Sequence, residues 1–139
     1  MSSNLTFVLD SSVIIAILTR EPDAAVYDVM VNSAERLLVG APTLVETSMV
    51  LISRLGPDTG MTALFNFLTR TGCEIVDFTR LHFVEAATAF QQFGKGRHRA
   101  SLNMGDCNSY ATAKVAGAAL LYKGNDFILT DLPKLTPPE

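Results

Sequence analysis

Four acidic side chains lie where one predicted element of the chain gives way to the next. Asp10 ends the β-rich run TFVLD, and Glu46 lies one turn into the helical pattern that follows RLLVG. Asp106 lies in the first turn of the amphipathic pattern LNMGDCNSYATAKVAG, and Asp126 follows the run AALLYKG. Carboxylates that converge in apolar surroundings repel one another, so a stable fold must neutralise them with a cation or by partial protonation.

A hard divalent cation suits such a group of carboxylates. Mg²⁺ and Mn²⁺ prefer oxygen ligands and keep several waters, which lets them bridge acids and a phosphate. Metal ions held in this way activate water and stabilise the leaving oxygen when a phosphodiester is cleaved. The pattern therefore predicts metal-assisted hydrolysis, with no nucleophile from the protein.

Asp106 also has a simpler explanation. The unpaired amides and the positive end of the dipole at a helix N-terminus both favour a carboxylate there. A zinc site is disfavoured, because His82 and His98 lack ligand spacing to the acids. The two cysteines, Cys73 and Cys107, have no CxxC spacing and lie among apolar residues, which is typical of reduced core thiols.

The elements that must position these acids alternate between strand and helix. Short β-rich runs, TFVLD, RLLVG, CEIVDF and AALLYKG, are separated by helical patterns, which predicts an α/β fold with a mainly parallel sheet. Predicted helices begin at Ser11 or Ser12 and cover about residues 24–33, 43–55, 59–71, 79–93 and 103–115. Because the carboxyl ends of parallel strands face one crevice, we expect the four acids to share one rim.

Length and composition favour a single folded domain over residues 1–139. Hydrophobic residues make up 48% of the 139 residues and charged residues 18%, which predicts a well-filled core. The longest apolar runs are far shorter than the roughly 20 residues of a membrane-spanning helix. The first residues show no secretory signal pattern, so we expect a cytoplasmic protein with no membrane contact.

Positive charge is concentrated in one segment. The net charge is −3, which offers no general attraction to nucleic acid, but GKGRHR holds Lys95, Arg97 and Arg99 between two predicted helices. We expect a mobile basic loop that, with Lys114, holds a nucleic-acid backbone; a solvated surface is the alternative. The proline-rich tail TDLPKLTPPE is expected to lie extended over the surface.

Four blocks of the sequence together resemble the PIN-domain ribonucleases, most closely toxins of the VapC type. These blocks are FVLDSSVIIAIL, APTLVETSMVL, LNMGDCNSYATAK and LLYKGNDF, in the order of the family and spanning residues 7 to 127. The resemblance implies a PIN-like α/β/α sandwich with a mainly parallel central sheet.

The same resemblance implies roles for individual residues. Asp10, Glu46 and Asp106 match the metal-binding acids of the family, and Asp126 matches the acidic position of its last motif. Ser12 matches the small hydroxyl residue that supports the first acid. Asp131, in ILTD, competes with Asp126 for the fourth acidic position, for which we favour Asp126.

The resemblance further implies an endoribonuclease dependent on Mg²⁺ or Mn²⁺ that blocks translation, often by cutting transfer or ribosomal RNA. A cognate antitoxin protein holds such a toxin inactive, and a homodimer and a larger complex with antitoxin are implied. The apolar helical patterns LVETSMVLISRLG and MTALFNFL are candidates for the interacting surfaces, although core packing explains them equally well.

Alternative functions are distinguished by particular residues. A phosphoryl-transfer hydrolase with Asp10 as nucleophile would need a second aspartate two residues later, where the chain has Ser12. A dinucleotide-binding module would need a GxGxxG turn, where the chain reads LDSSVI. A catalytically degenerate PIN fold that serves as a protein-binding module stays open, because the acids would then serve folding alone.

Overall fold

The computed structural model describes residues 5–133, in which two helices separate each of the four strands from the next. The elements are β1 (Thr6–Leu9), α1 (Ser11–Leu18), α2 (Ala24–Ser33), β2 (Arg36–Gly40), α3 (Ala41–Leu55), α4 (Pro57–Thr71), β3 (Glu74–Val76), α5 (Arg80–Phe93), α6 (Met104–Ala116) and β4 (Ala119–Leu121).

The strands form one parallel sheet in the order β3-β2-β1-β4. The first strand of the chain is central, and its Val8 pairs in register with Leu38 of β2 and Leu120 of β4. Such an order places the start of the chain next to the last strand. The predicted mainly parallel sheet is therefore confirmed.

Both faces of the sheet are covered by helices, because the strand side chains alternate between two cores. Phe7 and Leu9 of β1 belong to a core that includes Ile14 of α1, Leu51 of α3 and Phe67 of α4. On the opposite face, Val8 packs in a second core built with α5 and α6. Strands buried on both faces read as continuous apolar runs, as FVL and LLV do here.

The observed elements differ from the predicted ones mainly at their ends. Helix α3 begins at Ala41 rather than at residue 43, and α4 begins at Pro57 rather than at 59, because proline is readily accommodated in the first turn of a helix. Strand β3 is shorter than the run CEIVDF and covers only Glu74–Val76. Both cysteines are buried and free, as predicted.

The basic segment is a closed turn between α5 and α6. The Lys95 N–H donates to the Leu102 carbonyl at 2.9 Å, and the Leu102 N–H donates to the Phe93 carbonyl at 2.9 Å. Ala100 and Leu102 are buried beneath it, while the three cationic side chains are exposed. The predicted connection between two helices is confirmed, and its mobility stays a prediction.

The beginning of the proline-rich tail differs from its prediction. Thr130 and Leu132 are buried, and Leu132 belongs to the core on the α5–α6 face, so this part does not lie over the surface. Residues 134–139 lie outside the described residues. Across residues 5–133, none of the helices combines the length and the apolar character needed to cross a bilayer.

Candidate active site

Asp10 is buried at the carboxyl end of β1 and is the residue that caps α1. Its Oδ2 accepts hydrogen bonds from the Ser12 N–H at 3.1 Å and the Ser12 hydroxyl at 2.5 Å. Its Oδ1 accepts a hydrogen bond from the Ser109 hydroxyl of α6 at 2.6 Å. The carboxylate thus satisfies an N–H at the start of α1 that has no partner within the helix. Three donors therefore fix the orientation of this acid.

The hydroxyls around Asp10 are themselves oriented. Ser12 Oγ accepts the backbone N–H of Lys123, just beyond β4, at 3.0 Å. On the other side, the hydroxyls of Ser109 and Thr43 lie 3.3 Å apart in the buried space between α6 and α3. Ser12 thus contacts the first acid, as the family resemblance implies.

Glu46 lies on the second turn of α3, and its Oε1 is buried without a hydrogen-bond partner among the described residues. Burial raises the pKa of this carboxyl above its ordinary value, the charge of Asp10 raises it further, and a hydrogen bond from the Ser11 side chain opposes the rise. A buried polar atom without a partner costs free energy unless a ligand or cation satisfies it.

Asp106 lies in the first turn of α6 and completes a capping box with Asn103. Its Oδ2 accepts the Asn103 N–H at 3.0 Å, and the Asn103 Oδ1 accepts the Asp106 N–H at 2.9 Å. The simple explanation of Asp106 as a helix cap is therefore confirmed.

The charges of the other three acids also affect the pKa of Asp106. Burial raises its pKa to about 6, the hydrogen bond from Asn103 opposes this, and the charges of Asp126, Asp10 and Glu46 add to the rise. The side chain thus caps a helix and lies within the field of three further carboxylates. The cap and the acidic cluster are compatible because a carboxylate has lone pairs for both.

The two competing late acids have different surroundings. Asp126 is exposed in the turn after β4, and its charge acts on Asp106. Asp131 instead accepts hydrogen bonds from the Tyr110 hydroxyl at 2.5 Å and from Lys114 Nζ at 2.9 Å. Burial raises the pKa of Asp131, but these two bonds outweigh it and hold the pKa below its ordinary value. The charge of Asp126, rather than that of Asp131, acts on Asp106, and the choice of Asp126 as the fourth acid stays a prediction.

The predicted cationic residues divide into two groups. Lys95, Arg97 and Arg99 are exposed in the turn after α5, and the Arg97 guanidinium lies 5.6 Å from the centre of the Phe90 ring. Lys114 lies in the last turn of α6, at the opposite end of that helix from Asp106, and is paired with Asp131. The structure therefore does not bring Lys114 to the acids.

The donor atoms of the acids suit a metal ion better than their spacing does. No three Asp, Glu, His or Cys side chains within residues 5–133 are arranged closely enough to hold an ion as they stand. Even so, the donors are all carboxylates, Glu46 Oε1 is buried and unpaired, and the pKa values of Glu46 and Asp106 are raised. These features fit a hard cation, with Asp10, Glu46, Asp106 and Asp126 as the residues that would hold it.

Several residues around the acids escaped sequence reasoning. Ser11, Thr43 and Ser109 supply hydroxyls, Asn103 supplies the cap, and Gly105 makes room for Glu46, since a Cβ at residue 105 would lie 2.5 Å from Glu46 Oε2. Only Asn103 had a readable signal, namely a capping residue three positions before an acid.

Comparison with known proteins supplies the family. The model of the family described as PIN domain matches residues 7–132. The chain belongs to the PIN-domain family. Within this PIN domain, the matched residues include all four acids of the cluster as well as Asp131.

The PIN domain is also similar to curated ribonucleases. It is 42% identical over 125 residues to Ribonuclease VapC of Mycolicibacterium smegmatis, covering 90% of this chain and 96% of that protein. The PIN domain is thus a VapC-type ribonuclease, a hydrolase that acts on RNA, and metal dependence is a general property of this family.

Two solved structures share the fold of this PIN domain. One is Mycobacterium tuberculosis VapC20, a Sarcin-Ricin loop cleaving toxin, with a TM-score of 0.76, 15% identity, and coverage of 94% of this chain and 99% of that one. The other is a toxin-antitoxin complex from Klebsiella pneumoniae, with a TM-score of 0.65, 14% identity, and coverage of 89% and 92%. The predicted PIN-like α/β/α sandwich is confirmed.

Proposed function

We propose that this PIN domain is an endoribonuclease toxin that hydrolyses RNA phosphodiester bonds with Mg²⁺ or Mn²⁺ held by Asp10, Glu46, Asp106 and Asp126. The observation that carries the proposal is Glu46 Oε1, which is buried without a hydrogen-bond partner among the described residues and belongs to a carboxylate that lies against Gly105, next to Asp106. Burial, together with the charges of Asp126, Asp10 and Glu46, also raises the pKa of Asp106 to about 6, and a bound cation would relieve the cost of keeping these carboxylates charged.

Each acid contributes in its own way. Asp10 is oriented by three donors, so its remaining lone pairs have a set direction. Glu46 offers a buried oxygen that no described residue satisfies. Asp106 feels the charges of both of these acids and of Asp126, which is exposed in the turn after β4. When bound, the ions would supply activated water and stabilise the leaving oxygen.

We assign the RNA backbone to the turn that carries Lys95, Arg97 and Arg99. Three exposed cations on the connection that leads into the first turn of α6 provide local attraction on a chain of net charge −3. Lys114, predicted from sequence as a fourth contact, would have to leave Asp131 to bind phosphate, so we expect the smallest contribution from it.

Partners follow from the relatives. The similarity in fold to a complex of toxin and antitoxin supports a cognate antitoxin as the regulator of this chain. A homodimer remains part of the proposal. Exposed apolar side chains occur on the predicted helices α3 and α4, at Met49 and Phe65, but also on α5, at Leu81 and Phe83. Because the substrate is cellular RNA, we place the activity in the cytoplasm.

Cleavage of RNA by the purified protein tests the proposal. We expect cleavage in Mg²⁺ or Mn²⁺, none after chelation, and loss of at least a hundredfold in Asp106→Asn, which keeps the shape and the cap but removes a charge. Cleavage that survives chelation, or an Asp106→Asn variant with full activity, would refute the metal-dependent site. A folded protein that binds antitoxin but cleaves no RNA would instead support the degenerate binding module.

Salt dependence tests the assignment of the basic turn. Changing Lys95, Arg97 and Arg99 to Ala should weaken RNA binding and flatten its dependence on salt, since fewer counterions are released on binding. The matched control is Arg36→Ala, which removes an exposed cation from the amino end of β2. An unchanged salt slope in the triple variant would assign the turn to another role.

A further inference from the structure

Lys123 connects the end of β4 to both ends of α1. Its backbone N–H donates to Ser12 Oγ at 3.0 Å, at the start of that helix. Its ammonium group contacts Glu21 and lies 2.8 Å from Asp23 Oδ1, both in the connection between α1 and α2. The Lys123 side chain is 30% exposed, so this pairing is shielded in part from water.

The backbone contact of Lys123 reaches Asp10 through one hydroxyl. Ser12 Oγ accepts the Lys123 N–H and has a single proton, which it donates to Asp10 Oδ2. A displacement of Lys123 would therefore turn the hydroxyl and change the orientation of the buried acid.

Lys123 also begins the short segment that carries Asp126. The next residue, Gly124, has φ of 100°, a backbone conformation that favours glycine, and Asp126 follows two residues later. The ion pairs of Lys123 attach the start of this turn to the α1–α2 connection. The position of Asp126 relative to Asp106 thus depends on how firmly Lys123 is held.

The charges around Lys123 explain why its ammonium group matters. Glu21 also lies 3.6 Å from Arg54 of α3, so two cations balance the two acids Glu21 and Asp23. Without the ammonium group, Arg54 alone would balance Glu21 and Asp23, which lie beside the start of the turn that carries Asp126. These negative charges would then repel one another, and we expect the turn to move away from α1.

We propose that the Lys123 ammonium group is a positioning group for the nuclease reaction, which keeps Asp126 and the Ser12–Asp10 pair aligned with Asp106. This inference rests on the proposed function of the four acids. Two of the ammonium donors are already directed at Glu21 and Asp23, which favours a positioning role over a direct contact with RNA.

Two substitutions and one matched control test the proposal. Lys123→Met keeps the length of the stem and removes the charge, whereas Lys123→Arg keeps the charge and can bind both acids. The control, Arg36→Met, removes the Arg36–Glu74 ion pair, with bonds of 2.8 and 2.9 Å, at the amino ends of β2 and β3. Each variant is assayed for kcat and KM on single-stranded RNA at several salt concentrations, for folded fraction, and for the rise in Tm with added Mn²⁺.

In Lys123→Met we expect kcat to fall at least tenfold with KM nearly unchanged, because small misplacements of reacting groups are costly. The Mn²⁺ concentration that gives half of the Tm rise should increase severalfold. Lys123→Arg should restore most of both, and Arg36→Met should lower Tm without changing kcat.

Other results would overturn the positioning role. These are a wild-type kcat in Lys123→Met, a loss that only follows the folded fraction, or a raised KM with a flatter salt slope, which would indicate RNA contact. If Asp106→Asn is inactive while Lys123→Met matches wild type in kcat and in Mn²⁺ response, Lys123 alone is misassigned. If neither substitution changes activity or the Mn²⁺ response, the acidic site itself is wrong.

Discussion

The Glu46 carboxylate of α3 lies directly against the backbone of Gly105 in the first turn of α6. A Cβ at residue 105 would stand 2.5 Å from Oε2 and 2.8 Å from Oε1, closer than real Cβ atoms approach. Gly105 immediately precedes Asp106, so the missing side chain is what lets the two acids come from adjoining helices into one cluster.

Gly105→Ala should therefore reduce RNA cleavage at least tenfold by pushing Glu46 aside. Alanine favours a helix over glycine by about 0.5–1 kcal/mol, which offsets part of the cost to stability. We therefore expect a loss of RNA cleavage that the small change in the free energy of unfolding, measured in urea, does not explain. The control is Gly60→Ala, whose Cβ would meet the Leu51 backbone at 2.7 Å and should cost stability instead. Full activity in Gly105→Ala would show that the position of Glu46 is unimportant.

Glu46→Gln should raise Tm in metal-free buffer, because it removes a charge that is partly buried and repelled by Asp10. Saturating Mg²⁺ or Mn²⁺ should reverse the order, since the wild type gains about 2.7 kcal/mol at 100 times the Kd. Calorimetry with and without the ion gives both values.

Asp10→Asn is the informative contrast to Glu46→Gln. The Asp10 carboxylate accepts all three of its hydrogen bonds. An amide NH₂ in its place would face one of these donors, so the variant should lose stability even without metal.

The calorimetry of Glu46→Gln also has a contrary outcome. An equal response of the wild type and Glu46→Gln to the ion would remove Glu46 from the metal site.

Asp126→Asn and Asp131→Asn should separate activity from stability. Asp126 acts on Asp106, so its substitution should abolish most cleavage with little change in Tm. Asp131 binds Tyr110 and Lys114 at a largely exposed position, so its substitution should cost about 1 kcal/mol or less and leave kcat nearly unchanged. Equal losses of activity in the two variants would contradict the choice of Asp126.

The metal-free protein should become more stable as the pH falls from 7 towards 5. The pKa of Asp106 is about 6 in the folded chain against an ordinary value of 3.8, so between these values the folded state binds more protons than the unfolded state. The free energy of unfolding then decreases as pH rises through this range. Urea unfolding at several pH values measures the slope, and Asp106→Asn should flatten it. A slope unchanged in that variant would contradict the raised pKa.

The sequence was sufficient to predict the layers of the fold and the place of Asp10 at the carboxyl end of β1. Alternating strand and helix patterns imply a parallel sheet, and its carboxyl edge collects the residues that end strands, such as Asp10. The sequence did not predict the contacts of Ser109 with Asp10 and of Lys114 with Asp131. They depend on how each helix is rotated about its axis and on pairings between distant residues, neither of which appears in a hydropathy pattern.

The central place of β1 has a consequence for the order in which this chain matures during synthesis. β1 is made first, yet one of its edges stays open until β4 has been added, and Asp10 donates its own N–H to Leu121. Ser109 and Lys123, which orient Asp10 directly and through Ser12, also come late in the chain. A nascent chain still inside the ribosome therefore lacks the parts that organise its first acid. The carboxylate of Asp10 can therefore take its ordered position only after the residues of α6 and β4 have been synthesised.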